Sequence, residues 1–213
     1  MTHEHEHEHE HDESDEHAHE HEQAHEHGHE FDYVGAVEEE RARKDAWFKS
    51  SSSSPLPHEA RHDFAGLPYF AVDPALRFEE LALEPYAGDQ PSAFQIPTSD
   101  GQLRPAHRAG TLTFGREGEQ RRLTGYKLEG GDTLFVPFLD ATSGHETYGA
   151  GRYLDVDPEP DGSYVLDFNL AYHPYCVYDD HFSCPLTPAE NRLPIRIEGG
   201  ERLAETGTDH EGA

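Results

Sequence analysis

The pattern with the most specific chemistry lies near the C-terminus, where His173-x2-Cys176-x4-His181-x2-Cys184 places four soft or borderline ligands within twelve residues. Two imidazoles and two thiolates form a donor set suited to tetrahedral Zn²⁺. Other chemistry is open to the same residues. Cys176 and Cys184 could close a loop as a disulfide or sit as small buried thiols. Cys176 is also a candidate nucleophile, with His173 or His181 as base and Asp167 or Glu190 as orienter.

A second constellation overlaps the first. Tyr148, Arg152, Asp167, Asn169, Tyr172, Tyr175 and Asn191 fall within one polar stretch of the chain. Arginine offers a planar fork for a carboxylate or phosphate, and tyrosine and asparagine fix a ligand's orientation in an otherwise apolar cleft. These residues are expected to converge on a small-molecule pocket at one mouth of a β-barrel. The plainer alternative has Arg152, Asp167 and Glu190 as ion pairs that pin the C-terminal strands.

The third feature is the N-terminus. His3, His5, His7, His9, His11, His17, His19, His21, His25, His27 and His29 alternate largely with Glu. Neutral imidazole binds Zn²⁺, Ni²⁺ and Cu²⁺, and the interspersed carboxylates attract cations. Reversible binding of such divalent ions is expected, stronger as pH rises through the histidine pKa. A metal-binding accessory protein is therefore the alternative to a ligand-binding or catalytic module. The chain has no G-x-G-x-x-G after a strand, phosphate loop, H-E-x-x-H or G-x-S-x-G, so enzyme status stays open.

Elements that position these residues follow from the pattern of breakers and apolar positions. Residues 1–30 contain almost nothing apolar and are expected to be disordered. Asp32 to about Lys49 suits a helix, with Glu38, Glu39 and Glu40 ahead of Arg41, Arg43 and Lys44, ended by Ser51–Ser54 and Pro55. Residues 50–75 read as an irregular connection. Strands are expected at Leu76–Leu83, Ala93–Ile96, Thr111–Phe114, Arg121–Leu128, Thr133–Phe138, Arg152–Val156, Tyr164–Phe168 and Leu193–Ile197. Asp161-Gly162 is a hairpin signal between the strands on either side of it. Strands this close, with no helices between them, predict a mainly β fold: an antiparallel barrel-like or sandwich-like sheet behind an N-terminal helix. One globular domain is expected over 31–205, with a disordered end at 206–213.

Several stretches carry a family resemblance. They are TYGAGRYL (Thr147–Leu154), LDFNLAYHPYC (Leu166–Cys176), CPLTPAENRLP (Cys184–Pro194) and GGERL (Gly199–Leu203), with Arg41, Lys44, Asp45, Phe48 and the run Phe64–Phe70 upstream. The chain resembles domain-of-unknown-function family 1684 of bacteria and archaea over nearly everything after the tail. The resemblance implies kinship and leaves the activity unassigned. It covers both cysteines but not the histidines, and His173 stands where the family usually has Asn before the Pro.

Charge narrows the partners. The chain holds 44 acidic and 16 basic residues for a net charge of −28. The tail supplies −12 of this and the rest −16, a field that repels nucleic acid and anionic membrane. Only Lys44, Lys49 and Lys127 are lysines, a balance expected of a protein hydrated in concentrated salt, where self-repulsion is screened. No run of eighteen apolar residues and no signal peptide is visible, and two cysteines make no disulfide framework. A cytoplasmic setting is the expectation.

Overall fold

A computed structural model describes residues 31–128 and 133–204. The chain divides into two units, Met1–Phe31 and Asp32–Ala213, and the fold below is that of the second. The eleven tail histidines lie outside the described residues.

Helix α1 spans Tyr33–Ser50, and the Asp32 side chain caps it by accepting the Gly35 N–H at 3.0 Å. Because the helix starts at Tyr33, its first turn holds no acid, and Glu38–Glu40 fall in the second turn. The cap therefore supplies the negative charge at the N-terminus. Arg41, Lys44, Asp45 and Phe48 share one face by their i, i+3, i+4, i+7 spacing. All four have long-range partners. Arg41 donates to the Phe70 and Asn169 carbonyls, Lys44 pairs with Glu201, Asp45 accepts the Leu67 N–H, and Phe48 is buried among aromatic rings. The helix docks mainly through polar bonds rather than an apolar stripe. No helix among the described residues is long and apolar enough to cross a membrane.

The strands are β1 (Arg77–Leu81), β2 (Leu83–Glu84), β3 (Ala93–Pro97), β4 (Leu103–Arg116), β5 (Glu119–Leu128), β6 (Leu134–Phe138), β7 (Arg152–Val156) and β8 (Tyr164–Asp167). A six-stranded antiparallel sheet runs in the order β2-β4-β5-β6-β7, with β3 also on β4, and β1 pairs separately with β8. The sheet stays open, so the sandwich-like alternative is the one realised. Glu117 and Gly118 turn β4 into β5, both at positive φ (55° and 75°), as a tight two-residue hairpin requires.

Three expected elements differ in a telling way. The single strand expected at Leu76–Leu83 is two, because a bulge between Phe78 and Leu81, with Glu80 at φ 56°, passes the chain from β8 to the main sheet. Asp161-Gly162 does form a tight turn, closed by a Pro158–Tyr164 bridge, but the flanking strands pair elsewhere: β7 with β6, β8 with β1. Leu193–Ile197 is not a strand. It keeps strand-like alternation, with Leu193, Ile195 and Ile197 buried, and in place of a ladder makes isolated bonds to Leu139–Ala141 and to the Arg152 guanidinium. Pro194 cannot donate a ladder bond.

Both faces of the main sheet are covered. Leu112, Phe114, Leu123, Leu134, Val136, Phe138, Leu154 and Val156 form one core with Leu166, Phe168 and Ile197. Ala106, Tyr126, Phe135 and Tyr153 pack on the other face with Ile96 and Phe94. A register shift between Arg108 and Gly110 lets Ala106 and Leu112 serve opposite faces of β4. That second face carries the candidate site.

Candidate functional site

The seven residues expected to share one pocket separate into five groups. Arg152, 1% exposed, is occupied through both terminal nitrogens, while its Nε has no hydrogen-bond partner among the described residues. Its guanidinium donates to the carbonyls of Gly199, Ile197 (2.7 Å) and Glu201 (3.1 Å) and lies 3.6 Å from Asp140 Oδ2. Burial pulls its pKa down to about 10 against the opposing pull of Asp140 and Glu201. Asp167 and Asn169 form a second group. The Asp167 carboxylate accepts the Tyr33 hydroxyl at 2.8 Å, while the Asn169 amide brackets the Asp73 backbone from both sides (2.8 and 2.9 Å). Together they fasten the start of α1 to the body.

Asn191 is a third case. Its amide takes the Thr124 N–H and donates to the Thr124 and Pro137 carbonyls, all within 2.8 Å. It bridges β5 and β6 where Pro137 has no N–H to offer. Tyr148 sits apart, its amide donating to His173 Nε2 at 3.2 Å and its hydroxyl 4.0 Å from Cys176 Sγ. Tyr172 and Tyr175 line the main cleft, and Asn169 and Tyr172 line a smaller hollow beside it. Buried fixed charges and amides were more useful here to the backbone, whose carbonyls need partners, than to a hollow.

The four-ligand metal cluster does not assemble either. His173 is 2% exposed, with Nε2 used by Tyr148 and Nδ1 3.6 Å from Glu201 Oε2. The His181 side chain is 90% exposed and pairs with Asp179 at 2.7 Å. Among the described residues the one close-set group of metal-binding side chains is the exposed turn Asp179-Asp180-His181. The suggested triad also fails on geometry: Glu190 is taken by Arg108 (2.8 Å) and Tyr126 (2.9 Å), and Asp167 by Tyr33.

Burial holds the His173 imidazole neutral, with a pKa pushed down to about 4; Glu201 opposes this shift, and Arg152 and Lys44 add to it. In the unfolded chain the value is about 6.5. The unfolded state therefore gains a proton first as pH falls. Stability contributed by this group is full above pH 6.5 and is lost between about 6.5 and 4, by on the order of 3 kcal/mol. His173→Asn should remove that segment of the profile, measured as the difference in urea midpoints at pH 7 and pH 4.5. Equal pH slopes in the two proteins would disprove it.

The cleft itself has a volume of about 430 Å³. Its floor is the second face of the sheet, Arg104, Leu128, Phe135, Tyr153 and Asp155, and its walls are Lys44 from α1, Tyr172, Pro174, Tyr175, Cys184 and Pro185. Phe135 and Tyr153 meet edge to face at 4.7 Å, as do Tyr153 and Tyr172 at 5.7 Å. Tyr175 stacks on Trp47 at 6.4 Å. Tyr172 donates to Asp155 at 2.7 Å, and the Lys44 ammonium lies 4.7 Å above the Tyr172 ring while Glu201 holds it from behind at 2.6 Å. Lys44, Asp155 and Tyr172 also wall a neighbouring hollow of about 260 Å³ on the Arg41 and Glu201 side. A third hollow, between Arg77–Glu80 and Glu159–Val165, is walled by four acids and one Arg.

Sequence reasoning passed over Lys44, Arg104, Tyr153, Asp155 and Glu201 as site residues. The signal for Lys44 was the one-faced spacing on α1, and for Tyr153 and Asp155 their shared face on a strand whose alternate residues are Leu154 and Val156.

Fold and geometry define a mainly antiparallel β protein whose N-terminal helix is bonded to the segments that flank the main sheet, beside an aromatic-walled cleft. The chain belongs to the DUF1684 family, proteins of unknown function, whose family model matches residues 62–202. It is similar to a protein solved by solution NMR, the uncharacterized protein from gene locus rrnAC0354 of Haloarcula marismortui. Sequence identity is 39% and the TM-score 0.60, over 81% of this chain and 95% of that one. No curated protein matches it. Helix α1, which brings Lys44, precedes the residues matched by the family model, whereas Glu201 falls inside them.

Proposed function

We propose that the protein binds a small organic anion with a flat apolar body in the cleft floored by Phe135 and Tyr153. The observation that carries this is local charge. In a chain with 44 acids and 16 bases, this cleft is lined by two bases and one acid. The acid, Asp155, already accepts the Tyr172 hydroxyl. Glu201 partly offsets Lys44, so Arg104 at the exposed rim, which donates to the Ser183 carbonyl, supplies most of the free positive charge. Aromatic walls favour a ring that can meet their faces and edges. The volume is within the range that small-molecule sites occupy, about 300–1,000 Å³.

The test uses 2-naphthoate, 2-naphthylmethylammonium and the Arg104→Gln variant of the full chain, followed by NMR of the Tyr172 and Tyr175 rings. Naphthoate should perturb both rings, the aromatic cation should not, and Arg104→Gln should weaken naphthoate by roughly tenfold, the worth of one charge-assisted hydrogen bond. Equal binding of cation and anion would defeat the charge argument. No perturbation by either ligand would end the binding reading.

A further inference from the structure

We propose that Cys176 and Cys184 are a thiol–disulfide pair, oxidised by a low-molecular-weight disulfide, whose bond fixes one wall of the cleft. Both are free thiols, eight positions apart, at the two ends of the loop that carries the exposed Asp179-Asp180-His181 turn. The Cys176 amide donates to Cys184 Sγ at 3.3 Å, which sets the Cys184 sulfur against the Cys176 backbone. With one sulfur already against its partner's backbone, a small shift of the other brings the pair toward the covalent separation of about 2.05 Å.

The two sulfurs differ in a way that sets an order of events. Cys176 is half-buried, its Sγ 4.0 Å from the Tyr148 hydroxyl, whereas Cys184 is buried and lines the cleft. Burial pushes the Cys184 thiol up to about 11, which leaves it a poor first nucleophile. The Cys176 thiolate therefore attacks a sulfur of the external disulfide and releases one small thiol. Cys184, having lost its proton, then attacks the Cys176 sulfur of the mixed disulfide and releases the second. The pair gives up two electrons, the external disulfide becomes two thiols, and the two protons end on those thiols. Cys184 is held to Ser99 on both sides, its N–H to Ser99 Oγ and its carbonyl from the Ser99 N–H, so Cys176 is the partner that moves. With it moves Tyr175, the adjacent cleft residue. The pairing holds whether or not the cleft takes an organic anion.

The full folded chain is incubated with hydroxyethyl disulfide at pH 8, quenched with acid and weighed intact, beside Cys184→Ser and Cys176→Ser. Wild type should lose two hydrogens, yield a Cys176–Cys184 linked peptide, gain about 5 °C in Tm from closing the loop and revert with dithiothreitol. Cys184→Ser should stop at a persistent mixed disulfide on Cys176, and Cys176→Ser should stay unmodified while folded. A wild type that accumulates mixed disulfides, forms interchain dimers or remains unmodified would overturn the pairing.

Discussion

Replacing Arg152 by Met should lower the folding free energy by on the order of 4 kcal/mol, the cost of breaking a buried charge from its partners. Three backbone carbonyls, those of Ile197, Gly199 and Glu201, receive its protons, and none of these segments lies in a regular ladder. Each buried carbonyl left without a donor costs about 1–3 kcal/mol. Asp140 would lose its cation yet keep the Ile197 N–H at 2.7 Å and the Thr142 hydroxyl, so it would not be orphaned. The guanidinium also lies within 5.7 Å of the Phe70 and Phe138 ring centres, contacts that Met would partly keep. Arg152→Lys should recover only part of the loss, because an ammonium cannot reach three carbonyls with a rigid fork. Guanidinium unfolding followed by Trp47 fluorescence measures both. Exchange of the Glu201 amide, bonded to the Ala171 carbonyl, should accelerate if the C-terminal segment loosens first. A loss under 1 kcal/mol would mean that the segment holds without its arginine.

That dependence explains why the strand-like alternation of Leu193–Ile197 was readable while its pairing was not. Side chains reveal which face is apolar; the hydrogen bonds come from Asp140 and Arg152, far away in the chain. The same limit governs the site. β7 was legible to its ends because Leu154 and Val156 alternate with polar or aromatic neighbours, and α1 because it holds few breakers, with Gly35 in its first turn. The polar cluster was legible as a set but not in its direction. Asn191 had the composition of a ligand-binding residue and instead fills a gap left by Pro137, a role that depends on which strands lie beside it. Gly200 shows this too: at φ 74° it brings its backbone against the Ala171 carbonyl, where any Cβ would collide, and this close approach leads into Glu201. A motif such as GGERL thus marks a tight passage and a buried acid, neither of which its letters distinguish from a surface turn. The two faces of β4 depend on one bulge that no alternation pattern announces.

Glu201 is the point where helix, cleft and C-terminal segment meet, and the second large effect is expected there. It is 1% exposed, its Oε2 accepts the His173 N–H at 2.7 Å and the Tyr178 hydroxyl at 2.8 Å, and its Oε1 is ion-paired with the Lys44 ammonium at 2.6 Å. Lys44→Met should destabilise the fold by about 3 kcal/mol, because two neutral donors do not replace a cation beside a desolvated carboxylate. Glu201→Gln should cost less, about 1–2 kcal/mol, since Lys44 is partly exposed and can turn its ammonium to water. The double variant Lys44→Met/Glu201→Gln should then be more stable than the sum of the single losses predicts, by at least about 1.5 kcal/mol. Urea midpoints of the four proteins at pH 7 close this cycle. Additivity would show that Lys44 docks α1 through its contacts with the Phe48 and Tyr172 rings alone, and that the charge pair with Glu201 contributes nothing. A coupling of the expected size instead makes the ammonium a fixed charge, held from the buried side by Glu201 and positioned by α1 at the wall common to both hollows.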